Sequence, residues 1–260
     1  MVEKRIKELW DKLIDWYDQN HIEKAIVAFS GGKDSTLILL SAQEALDDVE
    51  AVIVDAEIYP ERDTEYAVDL AEKIGIDYRV IETCKLKDRK FASNPENKCY
   101  YCKSDLFELL DDGRTILEGT NASEVRGHRP GFEAVKEYAR APLYEIGIEE
   151  KDVRDILRWK GIDVWDKPSF ACLATRFPAG ERLTEEKLER IERVENEIFS
   201  YGVKQLRVRD FGKTARIEVW PEDMNKILEN REKIIKRLKD EGYENIFLDL
   251  EGYRTGSISK

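Results

Sequence analysis

Five apolar residues run without a polar break from Ala25 to Phe29, and the six that follow are Ser30-Gly-Gly-Lys-Asp-Ser35. An unbroken apolar run of this length suits a strand buried on both faces, the environment of a parallel sheet. Beyond Asp34 the apolar residues recur at helical spacing, so the six residues fall where a strand turns into a helix. Such a turn is an anion cradle. Gly31 and Gly32 can take backbone conformations closed to other residues, which lets successive N–H groups converge at the positive end of the helix. Ser30, Ser35 and Thr36 add hydroxyl groups, Lys33 adds a cation, and Asp34 is placed to hold a magnesium ion against phosphates.

The rest of the chain supplies the sheet that this turn requires. The opening residues form an amphipathic helix, with Ile6, Leu9, Trp10, Leu13, Ile14 and Tyr17 on one face. A second buried-strand run spans residues 51–55, followed by a helix over 62–74 that Gly75 ends. Strands are predicted at 77–82 and 115–120, with helices near 103–110 and 131–139. Strands alternating with helices predict an α/β fold, a parallel sheet covered by helices on both faces, which binds ligands beyond the carboxyl ends of its strands. The turn at Ser30, the stretch from Asp55 to Glu57, and Gly119 to Asn121 all fall at such ends.

From 161 to 183 the pattern has neither period, and Pro168, Pro178 and Gly180 punctuate it. A loop this long with aromatic and apolar content reads as functional. Thr184-Glu-Glu-Lys187 then opens a charged helix to about residue 201. Residues 206–209 and 215–219 alternate as a hairpin, a single helix is predicted over 221–241, and a strand over 245–250 closes a small α+β domain. The boundaries are accordingly 1–165, 166–183 and 184–260.

The 260 residues carry a net charge of −12. The balance disfavours a broad nucleic-acid surface. No apolar run is long enough for a membrane span, and the first residues lack a signal-peptide core, so a cytoplasmic protein is expected. Four cysteines in such a chain point to metal or sulfur chemistry before disulfides. Cys99 and Cys102 stand three positions apart at a helix start between Lys98 and Lys103, where thiolates are favoured. Cys172 lies far along the chain, with Lys167 and Arg176 as nearby cations. Three of these suit an iron–sulfur cluster with one open iron, and all four a zinc site if Cys84 joins; simple free thiols remain a third reading. Cys84 by itself reads as a small buried apolar residue. On the hairpin, Arg207 and Arg209 share a strand face and could grip a phosphate, or could form a solvated face with Glu218 across the strands.

The order Ser-Gly-Gly-Lys-Asp-Ser differs from the G-x-x-x-x-G-K-[ST] loop and resembles the PP-loop of the ATP pyrophosphatase superfamily. Those enzymes hold the β and γ phosphates as a leaving pyrophosphate and place AMP on a substrate oxygen. A narrower resemblance rests on that loop together with Leu117-Glu-Gly-Thr-Asn-Ala122, Arg129-Pro-Gly131, Arg140-Ala-Pro-Leu143, Pro168-Ser-Phe-Ala-Cys-Leu-Ala-Thr-Arg176, Leu206-Arg-Val-Arg209 and Gly252-Tyr-Arg-Thr-Gly-Ser257. Over nearly its whole length the chain is similar to the LarE family, ATP-dependent sulfur transferases of nickel-pincer nucleotide biosynthesis.

The resemblance implies an enzyme that uses ATP and Mg2+ to adenylate a carboxylate of a pyridinium dicarboxylate mononucleotide, then makes a thiocarboxylate with a sulfide or other sulfur donor. It implies that Cys99, Cys102 and Cys172 hold a 4Fe-4S cluster, or that Cys172 surrenders its own sulfur where no cluster exists. It further implies a homo-oligomer. On this reading residues 1–165 form the PP-loop domain, 166–183 the active-site cysteine loop and 184–260 a substrate-binding and oligomerisation domain. Lys33, Asp34 and Cys172 are the expected catalytic residues. Ser30, Gly31, Gly32, Lys33, Asp34, Ser35, Thr36, Asp55, Glu57, Gly119 and Asn121 bind the nucleotide and its metal, and Arg176, Arg207 and Arg209 the substrate. After Asn121 the family often shows further acids, where this chain has Ser123, Glu124 and His128. A PP-loop tRNA thiolation enzyme, an amide-forming synthetase and a non-enzymatic ATP-binding module are the competing expectations.

Overall fold

A computed structural model of the chain describes residues 2–125, 129–168 and 171–254. His128, the Ser169-Phe170 part of the cysteine motif and the last three residues of the tail motif therefore lie outside the described residues. In chain order the elements are α1 (Val2–Gln19), β1 (Lys24–Ala28), α2 (Lys33–Ala45), β2 (Asp48–Ala56), α3 (Glu61–Ile74), β3 (Tyr78–Thr83), α4 (Arg89–Ala92), α5 (Lys98–Leu110), β4 (Thr115–Leu117), α6 (Pro130–Tyr138), α7 (Pro142–Ile146) and α8 (Glu150–Trp159). There follow α9 (Glu185–Phe199), β5 (Leu206–Phe211), β6 (Thr214–Val219), α10 (Met224–Glu229), α11 (Arg231–Asp240) and β7 (Asn245–Leu248).

The chain divides into two compact units, one of residues 1–56, 61–83 and 97–169, the other of residues 57–60, 84–96 and 170–260. The first is built on a parallel four-stranded sheet of order β3-β2-β1-β4. Successive residues of a strand face opposite ways, and both faces are apolar here. Ala25 and Val27 of β1 enter a core with Leu13 and Tyr17 of α1, Leu37 and Leu39 of α2, and Ile156 and Leu157 of α8. Ile26 faces the other way, onto Phe107 and Leu110 of α5 and Val135 of α6. From β1 the chain runs outward through β2 to β3 and then returns to lay β4 on the other side of β1, so the crevice beyond the carboxyl ends of β1 and β4 is the switch point where doubly covered sheets take ligands.

The second unit carries a three-stranded sheet of order β5-β6-β7, antiparallel between β5 and β6 and parallel between β6 and β7. Leu188, Ile191, Val194 and Ile198 bury one face of α9. Thr184 caps that helix by accepting from the Lys187 N–H, as its sequence pattern predicts.

Several elements differ from expectation; β4 and β7 stop at Leu117 and Leu248, short of the predicted residues 120 and 250. The single helix predicted over 221–241 is divided into a short 3-10 turn (Pro221–Asp223), α10 and α11. The break falls at Asn230, whose side-chain amide donates to the Lys226 carbonyl at 2.9 Å and competes with the helical bond there. The helix α8 escaped the pattern reading although it opens with a reciprocal capping box between Glu149 and Asp152. Among the described residues no helix is long and apolar enough to cross a membrane.

Candidate active site

The first unit places the Ser30–Ser35 turn between β1 and α2. Gly31 takes a left-handed φ of +65°, and a Cβ there would stand 2.9 Å from the Cα of Ala67 in α3, so both conformation and space demand glycine. The turn is laced by its own hydroxyls: Ser35 Oγ donates to the Gly32 carbonyl at 3.1 Å, Thr36 Oγ1 donates to the same carbonyl at 2.8 Å, and Ser30 N–H reaches Ser35 Oγ at 3.3 Å. Gly32 occupies the N-cap of α2 and offers that helix no side-chain acceptor. A helix start left uncapped in this way keeps its N–H groups for an incoming anion.

The turn after β4 comes to the same place. A Cβ on Gly119 would lie 2.7 Å from the Ser35 backbone nitrogen and 2.9 Å from the Asp34 carbonyl carbon, so this glycine is required by the close approach of two backbones. Two residues on, the fully buried Asn121 donates from Nδ2 to Asp34 Oδ1 at 2.8 Å, while its Oδ1 accepts from the Ser123 N–H at 2.9 Å. The other Asp34 oxygen lies 3.0 Å from Lys33 Nζ, which also stands 3.5 Å from Glu150 at the start of α8. Glu150 was not anticipated; its signal is position, an acid in the first turn of a helix that was itself missed. Glu124 is pushed above the usual carboxylate range by burial and then by the nearby Asp34 charge. Asp55 lies near the end of β2, in register with Glu82 of β3.

Cys99 and Cys102 lie in the first turns of α5; Cys99 is exposed and Cys102 buried. Gly131 at the start of α6 packs there, with room for no more than a tight contact between an added Cβ and Cys99 Cβ at 3.3 Å. Among the described residues no group of three or more His, Cys, Asp or Glu side chains is arranged to hold a metal ion.

The second unit holds Cys172 at the head of a 3-10 turn (Leu173–Arg176). Arg176 is fully buried and makes a two-bond pair with Glu195 of α9, Nε to Oε1 at 2.9 Å and Nη2 to Oε2 at 2.8 Å. Its Nη1 donates back to the carbonyls of Ala171 at 2.7 Å and Cys172 at 3.1 Å. Burial works against the Arg176 charge, and the Glu195 carboxylate more than offsets it. Arg209 donates to the Thr175 carbonyl at 2.8 Å and pairs with Glu218, which Arg216 also reaches at 2.8 Å.

Arg207 donates to the Leu206 carbonyl at 2.7 Å and lies 5.2 Å from the Tyr253 ring centroid. Burial, with Arg176 as the next cause, lowers it to about 10. Neither hairpin arginine lies on a solvated face, because five of the six β5 residues are buried. Cys84 is exposed and donates to Glu57 Oε1 at 3.5 Å, an oxygen that also accepts the Leu86 N–H at 2.5 Å. The expectation of a buried Cys84 is thus corrected: it stands at the surface, in the residue position before a 3-10 turn (Lys85–Lys87).

A parallel sheet whose Ser-Gly-Gly-Lys-Asp-Ser turn meets an asparagine and a glycine from the neighbouring strand end defines an ATP-using enzyme of the PP-loop class. Residues 24–97 match the family described as Queuosine biosynthesis protein QueC. Across 92% of this chain and 90% of its own length, a protein of Lactiplantibacillus plantarum named pyridinium-3,5-bisthiocarboxylic acid mononucleotide synthase is 30% identical. An uncharacterised protein of Synechocystis sp. is 35% identical over 92% of this chain and 93% of its own. Another, from Methanocaldococcus jannaschii, is 30% identical over 90% and 92%. The chain belongs to the LarE family of ATP-dependent sulfur transferases.

Proposed function

We propose that the protein adenylates a carboxylate of a pyridinium dicarboxylate mononucleotide with ATP, releases pyrophosphate, and converts the acyl adenylate to a thiocarboxylate. The observation that carries this reading is the meeting of Asp34, Asn121 and Gly119 with the Ser30–Ser35 turn at the ends of adjacent strands. The relative from Lactiplantibacillus plantarum, whose name specifies a bisthiocarboxylic acid mononucleotide, supports the substrate class. The QueC-like match ends at residue 97, before the first of the paired cysteines, so it supports the nucleotide half alone.

A carboxylate is a poor acyl donor because it would have to expel oxide. Its oxygen attacks the α phosphorus, a new O–P bond forms, and the bond to the β phosphate breaks with its electrons leaving on pyrophosphate. The N–H groups at the start of α2, with Ser30, Ser35, Thr36 and Lys33, hold the β and γ phosphates. Magnesium sites of this kind need one or two carboxylates plus phosphate oxygens, and Asp34, oriented by Asn121, fits that requirement; the ion supplies neutralisation of charge on the departing group. Asp55, near the carboxyl end of β2, is taken as a further nucleotide-binding residue.

Sulfur then replaces AMP at the acyl carbon. Cys172 takes this role in the reading: its thiolate displaces AMP to give a thioester, and breakage of its Cβ–S bond with loss of the Cα proton leaves dehydroalanine and frees the thiocarboxylate. The Arg176 bond to the Cys172 carbonyl supports it by fixing the turn. Arg207 and Arg209, which share one face of β5, take the substrate phosphate in this reading. Cys99, Cys102 and Cys172 remain the proposed ligands of a 4Fe-4S cluster, which would supply an open iron for the extra sulfide. Since no three such side chains gather among the described residues, no step is routed through it. The protein is taken to be a cytoplasmic homo-oligomer.

The test is incubation with MgATP, the dicarboxylate mononucleotide and sulfide. AMP, pyrophosphate and a product heavier by the exchange of oxygen for sulfur are expected in equal amounts; ATP consumption that ignores the mononucleotide would sink the substrate assignment. Absorption and iron content of protein purified without oxygen decide the cluster.

A further inference from the structure

Lys167 takes no part in the reading above. Its Nζ lies 3.4 Å from the centroid of the Tyr66 ring. Tyr66, in α3, packs in turn on the PP-loop: a Cβ added to Gly31 would stand 3.2 Å from Tyr66 Cδ1. The ring is therefore a plate with Gly31 at its edge and an ammonium on its face. The missing side chain of Gly31 is what allows the loop to approach α3 this closely.

The surroundings of that ammonium are unusual for a structural lysine. Its close partner among the described residues is a ring face, whose negative quadrupole attracts the ammonium. Asp63 favours its charge and Arg62 opposes it from α3, while Asp163 acts on the Tyr66 hydroxyl. Burial outweighs these and pushes Lys167 down to about 8. A half-buried cation with this little compensation is stabilised by an anion. Lys33, the other lysine at the loop, already faces two carboxylates, Asp34 and Glu150.

We propose that Lys167 is a phosphate-binding residue of the ATP site, carried on Tyr66 beside Gly31 to meet the triphosphate and to neutralise pyrophosphate as the bond to the α phosphorus breaks. It transfers no proton; the electron pair of the broken bond stays on pyrophosphate. The proposal rests on the reading of the PP-loop as an ATP site.

The experiment is calorimetric titration of the full chain and of Lys167→Met, Lys167→Arg and Tyr66→Leu with MgATP and with magnesium pyrophosphate. Lys167→Met is expected to weaken both ligands about tenfold, as loss of one charge-assisted contact does, with an unchanged melting temperature; Lys167→Arg should recover most of the loss. Tyr66→Leu, which removes the plate and keeps the lysine, should weaken both in the same direction. Affinities for Lys167→Met within twofold of the parent overturn the proposal; should that variant not fold, unchanged affinities in Tyr66→Leu overturn it. If the parent binds MgATP but never releases pyrophosphate, the sulfur-transfer reading falls and the binding ratio still decides Lys167. If the parent binds no MgATP, both fall.

Discussion

The two turns proposed for the chemistry, at Ser30–Ser35 and at Cys172, are built in opposite ways. The Ser30–Ser35 turn uses small side chains to satisfy its own carbonyl at Gly32 and leaves the start of α2 without a side-chain cap. At the Cys172 turn the carbonyls of residues 171, 172 and 175 are all taken by arginine N–H groups, each arginine anchored on a buried carboxylate. The first arrangement offers donors to a ligand that must come and go. The second spends donors on its own backbone and fixes where one side chain points. A reaction that first binds and releases phosphates, then presents sulfur, calls for both.

The largest expected effect separates the two turns outright. Cys172→Ala should abolish thiocarboxylate formation while pyrophosphate release from ATP and the mononucleotide persists, measured as two products of one incubation. Loss of both together would refute the division of labour. Asp34→Asn attacks the other turn: pyrophosphate release should fall by about 100-fold or more, the scale of losing a group aimed at developing charge. A rate within a few-fold of the parent would remove Asp34 from the metal.

The contrast also predicts stability. Glu195→Gln leaves Arg176 charged and buried without its counter-ion, and breaking a buried pair by removing one partner costs about 3–5 kcal/mol. Chemical denaturation should show a lowered midpoint with an unchanged slope. If the variant is as stable as the parent, the arginine lattice is not what holds the Cys172 turn.

What was legible in the sequence follows the same division. The PP-loop could be read because its physics is local: a buried run, two glycines and a helix start fix a turn whatever surrounds it. The parallel sheet followed from alternation, and β1, β2 and α3 fall close to their expected limits. The arginines could not be read that way. Period two correctly puts Arg207 and Arg209 on one face of β5, but it treats that face as facing water or ligand, and here both faces are covered. Arg209 did find Glu218, the partner foreseen for it, in burial instead of on a wet surface. Arg176, expected at the substrate, points into the protein because its partner Glu195 comes from a helix nineteen positions later, a pairing that no local pattern announces. Asn230 and the charged helix α8 show the remaining gap: a side chain that competes with the backbone and an apolar face of only a few residues leave weak periodic signals.

The smallest effect tests why Gly119 is a glycine. Its expected role was at the nucleotide, and a residue there could serve by letting phosphate approach or by letting the backbone of α2 approach. The position of its missing Cβ, 2.7 Å from the Ser35 nitrogen, argues for the second, since that atom is backbone and cannot swing aside. Gly119→Ala should therefore cost about 1–3 kcal/mol of stability through overpacking. It should also shift the first turn of α2 relative to Asn121, so that the Asp34–Asn121 bond lengthens and ATP binds more weakly. A Gly119→Ala variant that unfolds like the parent but loses ATP would mean that the glycine makes room for the ligand; one that loses stability and affinity together would mean that the two strand ends must touch before the open turn can work.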